Sequence, residues 1–354
     1  MNVHNQPLVS VLMAYYDNLK HVEESIKSVY AQTYKNWEFI VVDDCSPSVE
    51  AQELIRSLQK KYGFKLISTG KNSGAAKSFQ LAFEHSVGDY VSIISHDDLY
   101  TDNKLEHSIK IILKQDLDAV YCNGAIITDD NTKTPQPFET REVVEALSKG
   151  QHYVADLICA SDGFGCLLTQ GAVYKRKIFT ELSWMREKFL LDDFPFTIKV
   201  WQDYKTGFDE AVLYLYRHHE HNVHKDFWRW LPARVQVVSE LVPPDKKIET
   251  LAYILINMGE FCVQKKLYDD AFRFATAGLV MASTEKNMHY AKAVILRIRS
   301  ENKKQIAKEL ANKIQDVLNR TTIGFKIYRA VMKLLIALLP NKQFRRDMRI
   351  KLNI

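Results

Sequence analysis

The chain is poor in cysteine, with five in 354 residues, at positions 45, 122, 159, 166 and 262. The number is odd and no two form a Cys-x-x-Cys pair, which argues against a disulfide framework or a cysteine zinc site and for a reducing compartment. No stretch reaches the ~18–20 apolar residues needed to span a bilayer. The polar opening Met1–Pro7, followed by only a short apolar run, does not read as a secretory signal, so a cytoplasmic protein is expected. There is no low-complexity segment. Gly-x-x-x-x-Gly-Lys-Ser/Thr is absent, so the chain carries no P-loop, and His-Glu-x-x-His is absent, so His218, His219, His221 and His224 lack the partner of a zinc protease. A net charge of +5 is too small an excess to indicate a nucleic-acid partner.

What is present is an ordinary globular composition, 46% hydrophobic and 26% charged, at a length suited to about two domains of roughly 100–200 residues. The first part alternates short apolar runs with helical patterns. Strands are expected over Leu8–Ala14, Trp37–Val42, Lys65–Ser68, Tyr90–Ile94, Ala119–Cys122 and Val212–Tyr216. Helices are expected over His21–Tyr30, Glu50–Tyr62, Ala75–Ser86 and Asn103–Leu113. This alternation implies an α/β fold with a mostly parallel, Rossmann-like sheet flanked by helices. Ligands of such sheets bind beyond the carboxyl ends of the strands.

The middle is less regular, with a helix expected around Arg141–Leu147 and a turn-rich run at Ser161–Gly165. Beyond Pro243-Pro244 the pattern is all-helical. In Tyr268–Met281 the small residues Ala271, Ala275 and Gly278 resemble one tetratricopeptide-type hairpin, fewer than the roughly three units a solenoid needs. From Thr321 onward Ile323, Ile327, Val331, Leu334, Leu335 and Leu338 form an apolar stripe. Eight basic side chains and one acid accompany it, a pattern suited either to a terminal helix on the protein's own core or to an in-plane helix on an anionic membrane. The expected organisation is a catalytic domain over 1–235, a helical domain over 236–320, and a basic amphipathic tail over 321–354.

Three acidic pairs stand out. Asp43-Asp44 and Asp97-Asp98 each end an apolar strand, and Asp192-Asp193 lies in a turn before Phe194-Pro195. Any one Asp could simply cap the following helix. Asp102 or Asn103 is available to cap the helix after Asp97-Asp98, which leaves that pair for a hard divalent cation with oxygen ligands. One acid of Asp192-Asp193 could serve as a general base. Gly74, in Lys71–Lys77 between a strand and a helix, permits a close backbone approach at an anion-favouring helix start, and Lys77 could reach a phosphate.

The first ~225 residues resemble the family 2 glycosyltransferases, which have the GT-A fold. The resemblance is carried by Val9–Asn18, Ser28–Tyr34, Phe39–Ser46, Asn72–Lys77, Gly88–Val91, Asp97-Asp98, Asp192-Asp193 and Tyr216–His219, in that order. It implies that Ala14 and Tyr16 flank the nucleotide base and that Asp44 contacts uracil. By the same resemblance Lys77 meets the nucleotide, Asp97 the ribose side of the donor, Asp98 a manganese or magnesium ion, and His219 the diphosphate and its metal. Asp193 becomes the catalytic base of an inverting transfer. The implied donor is a UDP-sugar and the implied acceptor a saccharide or lipid-linked saccharide, with the tail as a contact to the inner face of the cell membrane. Many relatives have an acid where Ser95 stands. The Gln-x-x-Arg-Trp motif of processive members is missing, so one sugar per encounter is expected. The rival readings are a nucleotidyltransferase, disfavoured because Val9–Asn18 contains no glycine, and a non-catalytic scaffold, disfavoured by three retained acidic pairs.

Overall fold

The computed structural model describes residues 6–128, 133–137, 169–182, 193–218 and 227–301. The elements in chain order are β1 (Val9–Tyr15), α1 (Val22–Tyr30), β2 (Trp37–Asp43), α2 (Val49–Tyr62), β3 (Lys65–Ser68), α3 (Ala75–Glu84), β4 (Tyr90–Ser95), β5 (Leu99–Tyr100), α4 (Lys104–Gln115), β6 (Ala119–Ile127) and β7 (Lys133–Pro137). A 3-10 turn at Thr169–Gly171 leads into β8 (Ala172–Lys175), α5 (Arg176–Glu181), α6 (Asp193–Asp203), β9 (Thr206–Arg217), α7 (Phe227–Leu241), α8 (Pro244–Gln264), α9 (Tyr268–Met281) and α10 (Glu285–Glu301). The Arg141–Leu147 helix, the Ser161–Gly165 turn, His219, His221, His224 and the 321–354 tail lie outside the described residues.

Among the described residues nine strands form one sheet, ordered β3-β2-β1-β4-β8-β6-β9-β5, with β7 on β6. β1 to β4 run parallel, as the alternation with helices requires. Beyond β4 the sheet becomes mixed: β8 is antiparallel to both β4 and β6, and β6 is parallel to β9. The sheet is thus less parallel than the strand–helix alternation alone implies. β9 also extends well before the expected Val212, because the polar run around Asp209 and Glu210 hides its first half.

The parallel strands are apolar on both faces since helices cover both. Val11, Met13, Val41 and Ile94 pack with Ile26 and Val29 of α1, Ile55 and Leu58 of α2, and Leu105, Ile109 and Ile112 of α4. Each such buried aliphatic stabilises the fold by about 1.5–3 kcal/mol over leaving it exposed. At the amino ends of these strands the backbones nearly touch. Gly88 donates its N–H to Ser10 Oγ at 2.8 Å, and Ser10 Oγ donates to Glu38 Oε1 at 2.6 Å. A Cβ on Gly88 would sit 2.6 Å from Ser10 N and 2.9 Å from Leu8 O, so no side chain fits there.

The described chain divides into two compact units, residues 1–247 and 248–354. The division falls later than residue 235 because α7 packs against α6 and buries Val237 and Val238 within the first unit. In the second unit α8 and α9 meet backbone to backbone. A Cβ at Gly278 would lie 2.8 Å from Ala252 O, and one at Gly259 would lie 2.9 Å from Ala271 O. Ala271 and Ala275, the small residues noted in the sequence, are fully buried. Among the described residues no helix is long and apolar enough to cross a membrane.

Glu249 of α8 closes the start of α10. Its carboxylate accepts from the Ser283 N–H and Oγ, each at 2.6 Å, from the Thr284 N–H and hydroxyl, and from Asn287 Nδ2 at 2.7 Å. Partial burial alone would raise its pKa, but the bonds from Ser283, Thr284 and Asn287 outweigh that and bring it down to about 2. A carboxylate held below its unfolded value stabilises above that value and loses the contribution as pH falls through the folded one. The thermal stability of the second unit is therefore expected to fall between pH 4.5 and about 2. Glu249→Gln should flatten that dependence; an unchanged pH profile in the variant would remove Glu249 as its source.

Candidate active site

The carboxyl ends of β1, β2 and β4 are level, with Tyr15 opposite Asp43 and Ala14 opposite Ser95. Three loops leave this edge, and short polar side chains tie them together. Asp17, at φ +48°, donates its N–H to Ser46 Oγ at 2.9 Å and accepts from the Ser48 hydroxyl at 2.5 Å. Ser48 in turn caps α2 through the Ala51 N–H. Tyr16 stands 41% exposed at this edge. Ala14 is half-buried, and its carbonyl accepts from His96 Nδ1 at 3.0 Å. A carbonyl can only accept, so Nδ1 is the donor in this bond.

Neither Asp of the first pair caps α2. Asp43 is buried and folds back on its own turn, accepting from Ser46 N–H and from Ser46 Oγ at 2.6 Å. Asp44 is 3% exposed and reaches across to the loop before α3. Its Oδ1 accepts from Ser73 N–H at 2.9 Å and from Thr69 Oγ1 at 3.3 Å, and its Oδ2 accepts from Gly74 N–H at 2.7 Å. Asp44 therefore builds the floor on which this loop rests. Gly74, at φ +87°, adopts a backbone conformation that disfavours any side chain. Lys77 follows in the first turn of α3, exposed and without an ion pair among the described residues.

The second pair divides its labour. Asp97 is partly exposed, whereas Asp98 is 1% exposed and faces inward. Asp98 Oδ1 accepts from the Arg217 main-chain N–H at 2.8 Å, Oδ2 accepts from the Tyr214 hydroxyl, and Ser95 donates to the same carboxyl. Burial, then the Asp97 charge, pushes the Asp98 pKa well above the usual carboxylate range against the pull of these bonds. Burial, then the Asp98 charge, raises Tyr214 in turn. The oxygens of Asp98 are engaged with β9, and Asp97 presents the more exposed carboxylate at the strand edge. Ser95 fits the same picture, since its hydroxyl donates where another acid would repel.

Asp193 is not in a turn but is the first residue of α6, where helix N-termini favour a negative charge. It is half-exposed, and its Oδ1 accepts from Phe194 N–H at 2.7 Å. Tyr216 links it to the second pair. The phenol is raised chiefly by burial, then by the charges of Asp98, Asp97 and Asp193, so the three acids share one electrostatic neighbourhood. Among the described residues no three His, Cys, Asp or Glu side chains converge into a metal cage. Tyr214, Arg217 and Glu24 carry weight that sequence reasoning did not assign. The available signal was an arginine directly ending an apolar strand.

The sequence profile described as glycosyl transferase family 2 matches residues 10–183. An uncharacterized glycosyltransferase of Rickettsia typhi is 38% identical over 124 residues, 34% of this chain and 37% of that one. A glucosyltransferase of Escherichia coli, WfgD, named for transfer from UDP-Glc to α-D-GlcNAc-diphosphoundecaprenol, is 32% identical over 124 residues, 35% of this chain and 48% of its own. The matched stretch thus spans less than half of either relative. Two solved structures share the fold. TarS 1-349 of S. aureus in complex with UDP-GlcNAc aligns over 82% of this chain and 89% of its own, with TM-score 0.53 and 17% identity. The mannosyltransferase PcManGT of Pyrobaculum calidifontis, in complex with GDP-Man and Mn2+, aligns over 84% and 87%, with TM-score 0.53 and 18% identity.

Proposed function

The chain belongs to glycosyl transferase family 2, and from that premise we propose that it moves one sugar, with inversion, from a nucleotide diphosphate donor to an acceptor hydroxyl. The observation that carries this reading is the gathering of Ala14, Asp44, Asp97 and Asp193 around the carboxyl edge of the parallel strands. Tyr16 and the loop held by Asp44 receive the base, and Lys77 and Gly74 lie toward the phosphates. TarS in its complex holds a uridine nucleotide, which supports a UDP-sugar here.

A divalent cation fits the donor set. One partly exposed carboxylate, Asp97, with the diphosphate oxygens and water, makes the oxygen-rich shell that Mg2+ or Mn2+ takes. His219, outside the described residues, is the second candidate ligand. When bound, the ion neutralises charge on the departing diphosphate. Asp193 accepts the proton of the acceptor hydroxyl as that oxygen attacks the anomeric carbon. The sugar–phosphate bond breaks on the opposite face, so the anomeric configuration inverts.

The acceptor we propose is a saccharide or lipid-linked saccharide, in line with the acceptor for which the Escherichia coli relative is named. The basic, apolar-striped sequence over 321–354 supports a peripheral contact with the inner membrane face.

The test is nucleotide diphosphate release from a panel of nucleotide sugars in manganese. Release from one donor, abolished by chelator, is expected and names the sugar. No release from any donor, together with no donor binding by calorimetry, would leave a non-catalytic scaffold as the better reading.

A further inference from the structure

We propose that Arg217 is a positioning residue for the donor-binding turn, acting through the main chain of Asp97, with Asp98 and Tyr214 as the inner half of the same clamp. The inference rests on the transfer reading above, in which Asp97 meets the cation.

Arg217 ends β9 with its side chain 0% exposed, a costly place for a guanidinium. The group spends its donors on three separate segments. Nε donates to Asp97 O at 2.8 Å, Nη1 to Thr128 O at 3.1 Å, and Nη2 to Glu24 Oε2 of α1 at 2.8 Å. Its own main-chain N–H donates to Asp98 Oδ1 at 2.8 Å. The Asp97-Asp98 turn is thus gripped from both sides: the arginine holds the carbonyl of the first residue and β9 holds the carboxyl of the second. Directly after the turn, β5 pairs antiparallel with β9, Leu99 with Leu215 and Tyr100 with Tyr214, so the same strand takes up the chain again.

A planar fork with fixed donor directions can define an orientation by meeting three acceptors at once, which a lysine ammonium on a flexible stem cannot do. Stability alone does not call for this arrangement, since an apolar side chain of equal volume often serves a core as well or better than a buried ion pair. What the fork supplies is a fixed main chain at Asp97. With the carbonyl pinned, the partly exposed carboxylate of the same residue has a restricted set of positions. A cation with near-ideal octahedral demands gains most from a ligand already in place.

The test is calorimetry of UDP binding to the full chain with and without Mn2+, read as the ratio of the two Kd values. A merely structural role would weaken both and leave the ratio alone. Arg217→Lys keeps the charge for Glu24 and the amide for Asp98 but loses the fork, and is expected to cut the ratio about tenfold, the size of one lost charge-assisted hydrogen bond. Tyr214→Phe, nearly isosteric, is the second variant in case Arg217→Lys does not fold. It should also lower the ratio, because the Asp98 carboxyl loses one of its donors. An unchanged ratio in the variants that fold would overturn the inference while leaving the transfer reading intact. No Mn2+ effect in the unaltered protein would overturn the inference and the role of the cation together, leaving sugar transfer to be judged by nucleotide diphosphate release.

Discussion

Asp193→Asn is expected to lower turnover by about 10²–10⁴-fold, the range for loss of a general base, with donor affinity kept. Asparagine has nearly the shape of the aspartate and still offers an oxygen to Phe194 N–H, so the start of α6 survives the exchange. What it cannot do is take a proton from the acceptor hydroxyl. Because Asp193 is half-exposed and not part of the buried clamp on β9, the variant should unfold close to the unaltered protein. Steady-state rates with donor KM, alongside thermal unfolding, separate these effects. Near-native turnover would remove Asp193 from the role of base and direct attention to Asp97 and Tyr216 beside it.

The two members of the second acidic pair should fail in opposite ways. Asp97→Ala is expected to abolish the strengthening of nucleotide binding by Mn2+ and to leave Tm nearly unchanged, because a partly exposed side chain contributes within about 0.5 kcal/mol to stability. Asp98→Ala removes the acceptor of both the Tyr214 hydroxyl and the Arg217 amide. Each buried donor left without a partner costs about 1–3 kcal/mol, so this variant should show a large drop in Tm before any effect on binding is considered. Thermal unfolding and calorimetry on the pair decide the matter. An Asp98→Ala protein of normal Tm that no longer responds to Mn2+ would return the metal to Asp98.

Much of this domain was legible in advance because its first half obeys simple periodicity. Leu8–Ala14 and Trp37–Val42 announce buried strands by apolar content alone, and the helices between them show their faces at helical spacing. Asp43-Asp44 and Asp97-Asp98, too, stand at the strand ends where the pattern put them. Which acid of each pair faces outward was not legible. Adjacent residues in a turn share one composition and differ only in direction. That direction is set here by Tyr214 and Arg217, whose sequence separations from Asp98 are 116 and 119. β5 was missed for the same reason: two residues, Leu99 and Tyr100, become a strand only because β9 is beside them. The amides that Ser73 and Gly74 present to Asp44 were likewise not legible, since they depend on how the loop before α3 folds.

The pair Arg217–Glu24 joins positions 193 residues apart. Bringing such distant segments together costs chain entropy before any contact offsets it, so long-range pairings slow folding more than local ones do. β1 to β4 find each other within the first ninety-odd residues, while β9 arrives only after two hundred have been made. The sheet edge that receives a nucleotide can then exist before the turn carrying Asp97 is locked. On the proposed reading, the edge that would receive the nucleotide forms before β9 fixes the turn that would hold the ion.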